Sequence, residues 1–179
     1  FIITIGDEFQ GLLRKGNHVL EIIDKINILM DPVQIRFGIG IGEIKTRINK
    51  LSIGADGPAY WHAREAILKV HEDNDYGRAK LMISAQENPN LILMMNEILR
   101  LCDFIESRWR ETQKNLVETA ILHYGHSLTV KQTDLAEKLN LTNQALNQRV
   151  QSSGYYSYIR ARNQVATILS TEWRGEDER

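Results

Sequence analysis

The sequence predicts an α+β chain, with a small antiparallel sheet and its helices in the first half and helices alone in the second. Three observations carry this reading. Residues 34–44 alternate strictly, Val33, Ile35, Phe37, Ile39 and Ile41 against Gln34, Arg36, Gly38, Gly40 and Gly42, which is the period of a strand. Strand signals stop near residue 85, and from residue 91 the apolar spacing is helical. The run 129–150 has the leucine spacing of two short helices joined by a tight turn.

Taken in order, residues 1–13 predict a hairpin. Ile2, Ile3 and Ile5 are β-branched, Phe9, Leu12 and Leu13 are bulky, and Gly6 lets the chain reverse with Asp7 and Glu8 at the tip. The chain opens at Phe1 in mid-pattern, which predicts at least one further strand upstream. Val19, Leu20, Ile22, Ile23, Ile26 and Leu29 then recur at helical spacing over 17–30, before Asp31-Pro32. In the strand over 34–44, three glycines share one face. Either a ligand or a closely packed helix could approach there, and the spacing does not match a dinucleotide fingerprint because no helix opens at the last glycine.

Residues 44–57 read as a polar surface loop, 59–71 as a short helix opened by Pro58, 71–78 as a charged irregular stretch, and 79–85 as an edge strand. Asn88-Pro89-Asn90 caps a long helix from Leu91 to about residue 110. The organisation expected is therefore an α/β domain over 1–90, a linking helix over 91–112, a helical domain over 113–173 and a disordered tail over 174–179.

Composition narrows the function classes. Of 179 residues, 22 are basic and 23 acidic, for a net charge of −1, so any nucleic-acid surface must be local. The longest apolar run, 91–95, is far short of the roughly 20 residues a membrane helix needs, so no membrane span is expected. One cysteine, Cys102, excludes an intramolecular disulfide and a cysteine-rich zinc site and fits a reducing cytoplasm; its apolar helical setting predicts a core position.

The second half carries the sharpest motif. After a helix over 114–125 come Leu135, Leu139, Leu141, Leu146 and Val150 as a buried wedge. Small Ala136 sits at the crossing, Asn140 takes a left-handed turn, and Thr142 caps the second helix. This is helix-turn-helix spacing. The second helix exposes Asn143, Gln144, Asn147, Gln148, Arg149 and Gln151, with no acid among them; amides and arginine pair with adenine and guanine edges. Lys131, Thr133 and Lys138 of the first helix would meet phosphates, and a closing helix over 155–169 offers Tyr158, Arg160 and Arg162 for packing or for flanking DNA. The modest local charge predicts weak binding by one copy and argues for a homodimer. The alternative for this half is a three-helix packing module that never meets DNA.

The run Thr4-Ile5-Gly6-Asp7-Glu8-Phe9, a helix, then Ile35-Arg36-Phe37-Gly38-Ile39-Gly40-Ile41-Gly42-Glu43 resembles the order of elements in class III nucleotide cyclases and diguanylate (GGDEF) cyclases. Over its whole length the chain more closely resembles the SatD family. Its members are similar to a partial ferredoxin-like, cyclase-type palm followed by a helix-turn-helix. The cyclase resemblance implies Asp7 and Glu8 as Mg²⁺ ligands, since hard oxygens suit an octahedral ion that gathers triphosphate charge. The partner acid would lie upstream of Phe1. The resemblance also implies Arg64 as a transition-state residue, although Tyr60 stands where those enzymes carry Asn, and Ile5-Gly6 where diguanylate cyclases have Gly-Gly. The plain reading of Asp7 and Glu8 is a capped tight turn. His62 and Glu65 lack a third nearby ligand and read as a surface or loop-contacting pair.

The function expected is thus a cytoplasmic bacterial regulator that binds double-stranded DNA, with a cyclase-like half that senses a nucleotide ligand or dimerises. The alternative is a metal-dependent nucleotidyl-transfer enzyme with an accessory helical domain.

Overall fold

The computed structural model describes residues 2–3, 8–45, 56–72 and 78–173. Asp7 of the carboxylate turn, residues 46–55 of the expected surface loop, the charged stretch 73–77 and the tail 174–179 lie outside the described residues.

The hairpin expected at the start is present as β1 (Ile2–Ile3) paired antiparallel with β2 (Phe9–Gln10), with Ile3 opposite Phe9. A 3-10 turn, Gly16–His18, leads into α1 (Val19–Met30), whose buried side is formed by Leu20, Ile23 and Asp24. The chain then runs through β3 (Phe37–Gly40), α2 (Pro58–Glu72) and β4 (Leu81–Ser84). Here the expectation of an antiparallel sheet is overturned: β3 and β4 are parallel, with Phe37 opposite Leu81 and Gly40 opposite Ser84. The reason is the connection. A helix that packs back on the sheet between two strands returns the chain to the end from which it started, and the next strand runs in the same direction.

Residues 79–85, expected as an edge strand, hold one: among the described residues β4 pairs with β3 alone, yet it is buried at all four positions because α2 and α3 (Pro89–Glu106) both pack on it. A strand covered on both faces reads as an unbroken apolar run, as Leu81-Met82-Ile83 does. β3 is shorter than its alternating pattern because β4 supplies only four partners; bonds from Phe37 N to Lys80 O (2.8 Å) and from Ile41 N to Ser84 O (3.0 Å) extend the ladder at each end. The far side of β4 is completed by a side chain. The buried Asn96 amide donates to Ile83 O (2.9 Å) and accepts from Ile83 N (2.8 Å), so α3 satisfies a backbone pair that a third strand would otherwise take.

The glycine face of β3 is filled by protein. A Cβ added to Gly38 would lie 2.4 Å from Ala63 O, and one added to Gly40 would lie 2.0 Å from Ala59 O, so α2 rests directly on the strand backbone. Asn88 does precede α3, but with a left-handed backbone (φ 51°) and no side-chain cap; its carbonyl accepts from Leu91 N and Ile92 N.

The rest is helical: α4 (Glu111–Tyr124), α5 (Gln132–Lys138), α6 (Asn143–Ser153) and α7 (Tyr155–Glu172). Two large hydrophobic clusters run through these helices, beside a small one of Ala66, Val70, Ala79 and Met82 between α2 and β4. One joins Leu20, Ile23, Leu81, Ile83, Met95 and Leu99 to Val165 and Leu169 of α7. The other joins Leu116, Ile121, Leu135, Leu146 and Val150 to Tyr155 and Ile159 of the same helix. Cys102 of α3 lies in the second cluster, 1% exposed, and burial pushes its thiol up to about 11. Both α3 and α7 therefore contribute to both clusters.

Candidate nucleic-acid interface

The turn between α5 and α6 is specified residue by residue. Asn140 adopts the left-handed conformation at φ 51°. Its N–H donates to Glu137 O (3.1 Å) and the next N–H, of Leu141, reaches back to Ala136 O (2.9 Å). That pair of bonds is the Schellman closure of a helix, with asparagine in the place glycine usually takes. Two residues on, Thr142 Oγ1 accepts from Ala145 N (3.2 Å) and caps α6. Gly154, also left-handed at φ 67°, ends α6, and Trp109 Nε1 donates to Ser153 O (2.7 Å) there. Below the turn, Leu135, Ala136, Leu146 and Val150 pack against Leu116, Val117, Ala120 and Ile121 of α4.

This frame leaves one side of α6 outward. Asn143, Gln144, Asn147, Gln148 and Gln151 are exposed, and α6 contains no carboxylate. Asn147 Oδ1 accepts from Gln151 Nε2 (3.3 Å), which ties two of these amides together along the row. Arg149 is placed differently from the expectation that it lies in that row: it is half-buried on the flank of α6. In α5 and just before it, Lys131, Thr133 and Lys138 are exposed; Lys131 also pairs with Asp134 at 3.0 Å, one turn away. Arg160 is exposed.

Arg162, read from sequence as a residue to pack or to flank DNA, takes the packing role. It is 2% exposed and makes a short charge-assisted bond with Asp24 of α1. Burial works against its charge and is the largest single influence, but the adjoining Asp24 carboxylate, together with Tyr158, Cys102 and Asp103, outweighs it and holds the guanidinium above its ordinary pKa. His126 Nε2 meets the other Asp24 oxygen at 2.8 Å. This buried cluster escaped the sequence reading, yet it left a signal: Asp24 and Arg162 occupy the apolar faces of α1 and α7, beside Ile23 and Val165. Arg108 and Arg110 were missed too. They line an open groove with Gln113 and Ser152 at the C-terminal end of α6.

The residues named for nucleotide chemistry are described only in part. Asp7 lies outside the described residues, Glu8 is exposed after the hairpin turn, and Arg64 is exposed on α2 beside the half-buried Tyr60. His62 Nδ1 contacts Ile41 O (2.7 Å). Glu65 accepts from Ser84 Oγ (2.7 Å) and from Lys69 (2.6 Å), bonds that lower its pKa. These two side chains thus brace β3 and β4 against α2. Among the described residues no group of three or more His, Cys, Asp or Glu could hold a metal ion. A cleft of about 260 Å³ between α1, the segment 31–36 and α4 carries charges that already pair with one another, Lys80 with Glu106 (2.6 Å) and Lys114 with Asp31 (3.1 Å).

No helix among the described residues is long and apolar enough to cross a membrane. No curated protein and no solved structure matches the chain. The SatD family, in contrast, matches residues 1–169 of the 179, and the chain belongs to that family.

Proposed function

We propose that the chain is a cytoplasmic DNA-binding transcriptional regulator, in which α5 and α6 form a helix-turn-helix and the cyclase-like half senses a ligand or supports dimerisation. One observation carries the reading: α6 turns Gln144, Asn147, Gln148 and Gln151 outward without a carboxylate among them. Side-chain amides make paired hydrogen bonds to adenine in the major groove, and a carboxylate at these positions would face phosphate charge. Lys131 and Lys138 at the two ends of α5, with Thr133, are suited to phosphates that fix register. Arg149, on the flank, would reach a base edge or a phosphate at the groove wall.

The test is retardation of genomic DNA fragments at low salt. Wild-type protein should shift a subset of fragments, and Gln148→Glu, nearly isosteric but charged, should weaken binding by ~1–3 kcal/mol, as should Arg149→Ala. Lys131→Ala should lower the salt dependence by about one phosphate contact. If the wild-type chain retards no fragment, the regulator reading is wrong.

A further inference from the structure

α3 is apolar on two opposite sides, and the chain covers one of them. Ile92, Met95, Leu99 and Cys102 face the clusters. Around the other side, Leu93 is 61% exposed, Met94 51%, Leu101 63% and Phe104 43%. A helix that is apolar all round belongs in an interior, and a contiguous outward patch of this kind marks an interaction surface. Among these side chains stand Glu97, exposed, and Arg100 at the margin, joined within the helix by a long contact of 3.7 Å.

We infer that the outer face of α3 is a homodimer seam, in which two copies pair antiparallel about a two-fold axis that passes near residues 98 and 99. The arrangement of charges selects a second copy as the occupant. In that register Glu97 of each copy lies across from Arg100 of the other, so both ions gain a cross-chain partner. The same register sets Leu93 against Phe104, with Met94 and Leu101 beside them on the same outward face. A surface that is its own complement under a two-fold rotation is what an isologous interface requires. The Phe104 end of the face also opens into the groove beside Ile105, Trp109 and Gly154, which gives the partner's Leu93 end a place to seat. Arg108 and Arg78 stand over the Phe104 ring at 5.0 Å and 5.9 Å and would flank the seam there. This seam does not depend on the DNA reading, although it would double the contacts of α6 if that reading holds.

The experiment is sedimentation equilibrium on the full chain and on three variants, each checked for an unchanged far-UV circular dichroism spectrum. Wild type should show twice the 20.6 kDa chain mass in the micromolar range, and Leu101→Asp should show the single-chain mass. Glu97→Arg and Arg100→Glu, which each set like charges across the seam, should be monomeric alone and dimeric when mixed in equal amounts. The mixture separates a cross-chain pair from the contact within one helix, because both variants lack the latter. A monomeric wild type would overturn the seam. A dimer that persists in Leu101→Asp, or a mixture that stays monomeric, would equally overturn the pairing.

Discussion

The two large hydrophobic clusters close their backbones by opposite means. At the turn between α5 and α6 the unsatisfied ends are met by residues a few positions away: Asn140 and Leu141 bond back to α5, and Thr142 caps α6, while Trp109 reaches in only at the far end, to Ser153 O. Around β3 and β4 the partners are distant in sequence. Asn96 supplies both bonds of Ile83, Asp103 accepts from Lys80 N (3.1 Å), and the α2 backbone presses on Gly38 and Gly40. The lesson is one of range: the turn between α5 and α6 is closed by bonds a few residues apart, whereas the sheet exists only once α2 and α3 are in place. Asp24, Arg162 and His126 join the two, since α1 packs with the sheet cluster and His126 follows α4.

If that contrast is right, substitutions at the junction and in the sheet should cost more than substitutions in the turn. Asp24→Ala leaves Arg162 buried without its carboxylate, and the loss expected by urea denaturation is ~3–5 kcal/mol. Gly40→Ala drives a methyl group into Ala59 O, a backbone atom that yields only if α2 moves, and should cost ~3 kcal/mol.

Asp103 offers a pH-dependent probe of the same region. Burial, only partly offset by the bond from Lys80 N, pushes its carboxyl from 3.8 up to about 6. The folded chain therefore holds this proton more tightly than the unfolded chain, so the group's contribution to stability falls as pH rises between these values and its full penalty is present above about 6. Asp103→Asn should stabilise the protein by ~1–3 kcal/mol near neutral pH, with a gain that fades as pH falls below about 4. An equal gain at both pH values would show that packing, not ionisation, sets the difference. The smallest effect belongs to the turn, where Thr142→Ala removes one cap bond and should cost ~1 kcal/mol. A larger cost there than at Gly40 would break the contrast between the two clusters.

The same distinction governs how far the residues announced the structure. Asn140 in a left-handed turn, Thr142 as a cap and the Leu135-to-Val150 wedge were legible because each depends on neighbours within a turn or two of helix. The amide row of α6 was legible for the same reason, and Arg149 was misjudged only in its exposure, which is partial. Strand direction was not legible. The alternation over 34–44 specifies which residues share a face, but it is identical for a parallel or an antiparallel partner, and the resemblance to cyclases favoured the wrong one. The unbroken run at 81–83 held the information that β4 is covered on both sides.

What the sequence determined alone was the local conformation, because caps, turn residues and apolar spacing act over distances the chain cannot avoid. Tertiary structure alone decided which strand pairs with which, that the glycine face is closed by α2, and that Arg162 turns inward to Asp24. Those outcomes rest on contacts between segments tens of residues apart, whose free energy depends on excluding water from both partners at once and is carried by neither stretch of sequence in isolation.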